Sequence, residues 1–161
     1  MSQIVKIAYL EISPRMTGKT TRLCNKAIAA AEHGKPVVFV CAPALVQWLP
    51  VQMPGVTVIA DGEPLPSHMH AERCTWFYDE FDQLKSVKFR PGGYYSTTAA
   101  RLRVVGEDLP ENDFLMRLVR DYGNRHERHL WLFDYRDFVS THRQTMSEEA
   151  FRLSMLGEFL S

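Results

Sequence analysis

Ser13-Pro14-Arg15-Met16-Thr17-Gly18-Lys19-Thr20-Thr21 stands between an apolar run at residues 4–10 and an apolar-periodic segment that closes near Gly34. Strand, tight loop ending in Gly-Lys-Thr, then helix is the context that gives a phosphate-binding loop its chemistry. Successive backbone N–H groups and the start of the helix would face the β- and γ-phosphates of a nucleotide. Lys19 would bring a point charge to the same oxygens, and the Thr20 hydroxyl would complete the coordination of a Mg2+. The pattern G-x-x-x-x-G-K-[ST] is met except at its first position, where Ser13 stands for glycine.

Outward from the loop, the run at 4–10 predicts a buried strand bounded by Pro14. Leu23, Ala27, Ile28 and Ala31 keep helical spacing from Lys19 to His33, and Gly34 and Pro36 supply stop signals. Residues 37–42 form an unbroken apolar run rich in β-branched side chains, as in a strand covered on both faces of a parallel sheet. A short helix is expected over 45–49, ended by Pro50, and further strands over 56–60, 74–78, 94–98 and 129–134. Residues 61–67 read as a loop by composition. Phe114, Leu115, Leu118, Val119 and Tyr122 predict a helix closed by Gly123, and Ser147 caps a last one with Phe151, Met155, Leu156 and Phe159 on one face. The alternation predicts a three-layer α/β fold with a mainly parallel sheet, residues 1–161 forming a single domain.

Composition narrows the function classes. The 161 residues are 45% hydrophobic and 24% charged, with 19 basic and 19 acidic side chains, so no global positive charge announces nucleic acid. The charge is uneven, however. Residues 1–60 carry Lys6, Arg15, Lys19, Arg22, Lys26 and Lys35 against only Glu11 and Glu32, a bias that suits an anionic ligand as well as a solvated helix face. Cys24, Cys41 and Cys74 are odd in number and widely spaced, which points to a reducing compartment. No apolar stretch approaches the ~18 residues of a membrane span, and the N-terminus does not read as a signal peptide. The expectation is a soluble cytoplasmic protein, in the host cell if the chain is viral, with no membrane partner.

The run at 74–78 ends in Asp79-Glu80, 60 residues after Lys19. A phosphate-loop enzyme needs such acids on the strand neighbouring the loop strand. Asp79 would hold the Mg2+ through its water shell, and Glu80 would polarise the attacking water. A Glu directly after the Asp favours hydrolysis over transfer to a small acceptor. Thr97 or Thr98, at the end of the next strand, could sense the γ-phosphate, and Arg101 or Arg103 could contact phosphate or DNA; β-propensity and surface charge explain the same residues equally well.

These residues resemble the ATPase domain of the large terminase subunits that package DNA in tailed phages, a P-loop NTPase family of the additional-strand, catalytic-glutamate type. Three features carry the resemblance: the deviant loop with Arg15 four places before Lys19; Tyr78-Asp79-Glu80 followed by Ser96-Thr97-Thr98, where that family has its coupling motif; and Met146-Ser147-Glu148-Glu149-Ala150-Phe151-Arg152 leading to Leu156-Gly157-Glu158-Phe159. The resemblance implies ATP held by residues Ser13 to Thr21 with Asp79 and Thr97, and Mg2+ at Thr20 and Asp79. It implies Glu80, Lys19 and Arg15 as catalytic residues, Arg15 acting in cis on the γ-phosphate. It further implies hydrolysis coupled to packaging of double-stranded viral DNA, by a homo-oligomer or with a partner packaging subunit. Two departures are expected to matter. The chain stops where that family's nuclease domain begins, and little sequence precedes the first strand to contact the base. A helicase-like reading of Asp79-Glu80-Phe81-Asp82, a small nucleotide kinase, and a non-hydrolysing nucleotide-binding regulator of a host or viral partner are the alternatives.

Other motifs read as structural. His68, His70 and Cys74 lack the spacing of a metal site. Trp48, Trp76 and Trp131 adjoin apolar runs and are expected in the core. Arg117, Arg120, Arg125 and Arg128 are interleaved with Asp113, Asp121 and Glu127, as on a solvated face.

Overall fold

The run Val37–Cys41 is buried along its whole length, as a strand with a layer of structure on either face must be. In the computed structural model, which describes residues 5–131 and 136–161, it is β2 of a five-stranded sheet. The others are β1 (Tyr9–Ile12), β3 (Thr57–Ala60), β4 (Thr75–Asp79) and β5 (Tyr94–Thr97), in the order β1-β5-β4-β2-β3. Every pairing is parallel. Helix α1 (Lys19–Glu32) lies over one face, with the short α2 (Leu49–Gln52); α3 (Phe114–Asp121) lies over the other. Two further helices, α4 (Arg136–Thr145) and α5 (Glu148–Phe151), follow, the latter continuing into a π-helical turn at Arg152–Leu156.

Alternation along the strands divides the core between the two faces. Tyr9, Val37, Phe39, Cys41 and Phe77 pack under α1 with Leu23, Cys24 and Ala27. Leu10, Ile12, Val38, Val40, Trp76, Tyr78 and Tyr95 pack with Leu115 and Leu118 of α3. Each such large apolar side chain withdrawn from water contributes about 1.5–3 kcal/mol. The arrangement is that of a three-layer α/β domain.

Several expectations shift. The first strand begins at Tyr9, not near residue 4, and runs to Ile12, directly before the loop. Ile7 is buried as expected, but residues 5–8 lie outside the strand: the Lys6 N–H donates to Asp121 O and the Ala8 N–H to Gly93 O. Glu11, which apolarity alone would have excluded from a strand, completes β1 because its carboxylate is paired. Pro50 stands in the first turn of α2, one residue after its start at Leu49, rather than ending a helix, since a proline there loses no intrahelical bond. Of the expected strand at 129–134, residues 132–134 lie outside the described residues. The chain pairs with β1 just before it: the Ile12 N–H donates to Glu127 O (2.9 Å) and the Glu127 N–H to Leu10 O (2.8 Å). Trp76 and Trp131 are buried, but Trp48 is 63% exposed, because residues 46–48 form a surface turn where a short helix over 45–49 was expected.

Candidate functional site

β5 lies between β1 and β4, so the acidic strand is not the neighbour of the loop strand, as the sequence reading expected. The loop and the acids still meet, because α1 leaves the loop and crosses the sheet over β5 and β4. In a parallel sheet all the C-terminal strand ends lie on one edge, and there the loop after β1 faces Asp79 and Glu80. A cleft of about 310 Å3 opens between Arg15 to Thr21 and Glu80.

The loop's conformation follows from its residues. Gly18 takes φ 85°, the left-handed region that a side chain disfavours, and stands just before Lys19 starts α1. The Thr17 hydroxyl donates to Pro14 O at 2.9 Å, and the Lys19 ammonium donates to the same carbonyl at 3.1 Å, so the lysine folds back over the loop. Ser13 is fully buried and held from both sides: its N–H donates to Thr97 O, its carbonyl accepts the Thr98 hydroxyl, and its own Oγ accepts the His129 N–H at 2.9 Å. That last bond needs an oxygen, which is the structural use of serine where the common pattern has glycine.

The acids converge on the same point. The Thr20 hydroxyl donates to both oxygens of Asp79, at 3.0 and 3.1 Å. Glu80 sits at φ 51°, an unfavourable backbone for a non-glycine residue, and its carboxylate turns back to Lys19, with Oε1 3.2 Å from Nζ. Its other oxygen accepts the Thr98 N–H at 2.9 Å and, more weakly, the Thr97 hydroxyl at 3.4 Å. The same Thr97 hydroxyl has a better acceptor in the Thr98 carbonyl, at 2.9 Å. Arg15 is exposed at the cleft, and its N–H donates to Ser154 O in the C-terminal π-helical turn. Gly157, ending that turn, lies so close to Pro14 that an added Cβ would stand 2.7 Å from its ring.

Burial, then the neighbouring Glu80 charge, pushes the Asp79 carboxyl up to about 6, against the pull of Thr20 and Lys19. An aspartate so placed is short of positive charge. Above pH 6 the folded chain holds a charge that burial disfavours, so Asp79 costs stability there; below about pH 4, where folded and unfolded chains both protonate it, the cost is gone. Asp79→Asn should therefore stabilise the metal-free protein by about 1–3 kcal/mol at pH 8. The gain should fall to about half at pH 5 and largely close by pH 4, so pH 8 and pH 4 are the two values to compare. Urea unfolding in a chelator at the two pH values measures it, and a destabilised variant at pH 8 would contradict the burial argument.

Three groups here have roles that the sequence does not show, although Glu11 and Arg22 count in its charge bias and Ser96 in the resemblance. Glu11 is fully buried, yet hydrogen bonds from Arg22 and Tyr9 outweigh the burial that would raise its pKa and hold it below the ordinary carboxylate value. Arg22 pairs with both Glu11 oxygens (2.9 and 2.7 Å) and donates to Thr17 O at 2.6 Å, bracing the loop from behind. Ser96 is in register with Glu11 on one side and Asp79 on the other, and its buried Oγ has no hydrogen-bond partner among the described residues. The spacing i, i+11 of Glu11 and Arg22 spans a strand, a loop and a helix, so no local pattern exposes it.

The two arginines that could have contacted phosphate or DNA differ in placement. Arg103 is buried between Asp82 and Asp113, which keeps it from phosphate or DNA, whereas Arg101 pairs with Asp108 on the surface and stays exposed. Arg117 and Arg120 pair with Asp121, Arg125 lies over the Tyr122 ring, and Arg128 donates to Leu156 O. Among the described residues no group of three or more His, Cys, Asp or Glu could hold a metal ion, and no helix is long and apolar enough to cross a membrane.

Comparison of the chain with protein-family models, with curated proteins and with solved structures found no match.

Proposed function

We propose that the chain is a P-loop ATPase of the additional-strand, catalytic-glutamate type, which binds Mg-ATP in the cleft between the Ser13–Thr21 loop and Asp79-Glu80. One observation carries the reading. Lys19, Thr20, Asp79 and Glu80, drawn from two stretches far apart in sequence, converge within hydrogen-bond distance on the edge where β1 and β4 end. The donor set fits the implied cation: a hydroxyl and a buried carboxylate in want of positive charge, beside the Ser96 hydroxyl, which has no hydrogen-bond partner among the described residues. When bound, Mg2+ neutralises charge on the phosphate oxygens.

The chain's own residues divide the remaining work. The amides of the loop and of the α1 N-terminus bind the phosphates. Lys19 exchanges its contacts with Pro14 O and Glu80 for phosphate oxygens, and exposed Arg15 is free to approach the γ-phosphate. Glu80 orients a water and accepts its proton. The Thr98 N–H, which holds one Glu80 oxygen, sets where that carboxylate points, and Thr97 stands beside it within reach of the γ-phosphate side. The coupling of hydrolysis to packaging of viral double-stranded DNA, with a homo-oligomer or a partner packaging subunit, rests on the resemblance of the loop, the acid pair and the C-terminal segment to terminase ATPase domains.

The test is Mg-ATP binding by calorimetry and phosphate release, with and without DNA. The wild type should bind and turn over ATP, and Lys19→Ala should lose about 10–100-fold in affinity, the worth of a hydrogen bond to a charged group. Normal binding by Lys19→Ala would remove the site. Binding without turnover under all conditions would favour a nucleotide-binding regulator, and phosphate transfer to a small acceptor would favour a kinase.

A further inference from the structure

The basic bias of the first 60 residues is only partly used by the loop, which absorbs Arg15, Lys19 and Arg22. Lys26 and Lys35 lie elsewhere. Together with Arg73 they line an open cleft of about 730 Å3 at the sheet edge opposite the nucleotide site. Lys35 stands two residues before β2 and Arg73 two before β4, so both sit where these strands begin, whereas Ser13 and Glu80 sit where β1 and β4 end. A five-residue strand separates the two edges by about 16 Å. A second cleft of about 400 Å3 adjoins the first through Arg73 and is edged by His68 and His70.

We propose that this edge is the docking surface for the phosphate backbone of double-stranded DNA. Three observations favour that partner. First, Lys26, Lys35 and Arg73 are exposed, and among the described residues none of them has a carboxylate within 4 Å. By contrast Arg22, Arg101, Arg103, Arg117, Arg120 and Arg152 are all paired. Glu72 is the one acid lining the cleft. Lys26 also lies over the Tyr9 ring, 4.5 Å from its centroid, a contact that leaves its charge uncompensated; clustered cations without carboxylate partners attract an external polyanion. Second, the surface is a backbone reader and not a base reader. Single-strand sites present open aromatic faces for base stacking, but here Tyr9, Phe77 and Trp76 are buried, and half-buried Tyr94 is stacked on Phe77 at 4.3 Å. Third, the cations come from α1 and from two strand starts, a rigid spacing suited to the regular phosphates of a duplex.

This deepens the DNA-coupled reading by assigning the surface that meets DNA, yet binding here needs no nucleotide. Its test therefore omits ATP and fails or succeeds separately from the ATPase. Anisotropy of a labelled 20-base-pair duplex with the full chain should show micromolar binding at about 100 mM salt, with three phosphate contacts giving a log–log salt slope of roughly −3. Lys26→Ala/Lys35→Glu/Arg73→Glu should weaken binding at least ~10-fold and flatten that slope, with the thermal melt and DNA-free ATP turnover unchanged. The milder triple-alanine variant gives the same readout if the reversal unfolds. Arg120→Glu, on α3, should bind as the wild type does. No duplex binding by the wild type, equal binding by the cleft variants, or an equal loss in Arg120→Glu would overturn the proposal. So would tighter binding of single-stranded DNA, or of poly-glutamate at matched charge.

Discussion

Glu80→Gln is expected to bind Mg-ATP at least as tightly as the wild type and to release phosphate about 100- to 10,000-fold more slowly, the range for loss of a positioned general base. Glutamine keeps an oxygen for the Thr98 N–H, which Glu80 accepts at 2.9 Å, so the loop after β4 retains its shape. It loses the negative charge that faces Lys19 at 3.2 Å and with it the capacity to take a proton from water. Freed of that partner, Lys19 is offered to phosphate without competition, which is why affinity should hold or rise. The backbone argues in the same direction: a non-glycine residue at φ 51° is strained, and strain persists where the surroundings over-determine it. Single-turnover phosphate release and equilibrium ATP binding separate the two effects. Unchanged turnover would remove Glu80 from the chemistry while leaving the phosphate loop intact.

Arg103→Ala is expected to be the most damaging change to stability outside the apolar core, at about 3–5 kcal/mol, because removing one member of a buried ion network strands the others. Arg103 is only 4% exposed. Burial opposes its charge, and bonds to Asp82 (2.7 Å) and Asp113 (2.9 Å) outweigh that and keep it protonated. The network ties three parts of the fold together. Asp82 follows Glu80 by two residues and also accepts the Ala100 N–H; Asp113 caps α3 at the Leu115 N–H; and the Arg103 backbone bonds Phe159 O and the Ser161 N–H. Denaturant unfolding measures the loss, which Arg103→Met/Asp82→Asn/Asp113→Asn should largely restore by removing the uncompensated charges while keeping the cap oxygen. A single variant within ~1 kcal/mol of the wild type would show that water reaches the two aspartates.

Local patterning made much of this architecture legible. The unbroken run before Pro43, the periodic apolar positions of α1 with Gly34 beyond them, and the Ser147 cap, whose Oγ accepts the Ala150 N–H, each reflect a preference that acts within a few residues. The ordering of strands was not legible. Nothing near residue 96 says that β5 inserts between β1 and β4, because that choice belongs to the packing of whole layers. The same limit hid the burial of Arg103, which looks like any surface arginine until Asp82 and Asp113 close around it.

By itself, then, the sequence determined an α/β chain with a phosphate-loop pattern and an acid pair at the end of an apolar strand. Only the tertiary structure brought Thr20 to Asp79 and Lys19 to Glu80, made the serine at position 13 an acceptor for His129, and braced the loop with Arg22 and Glu11. The physical reason is range. Helix and strand signals are written in neighbours, whereas a buried charge or a strained glutamate is tolerated only where partners distant in sequence arrive to satisfy it.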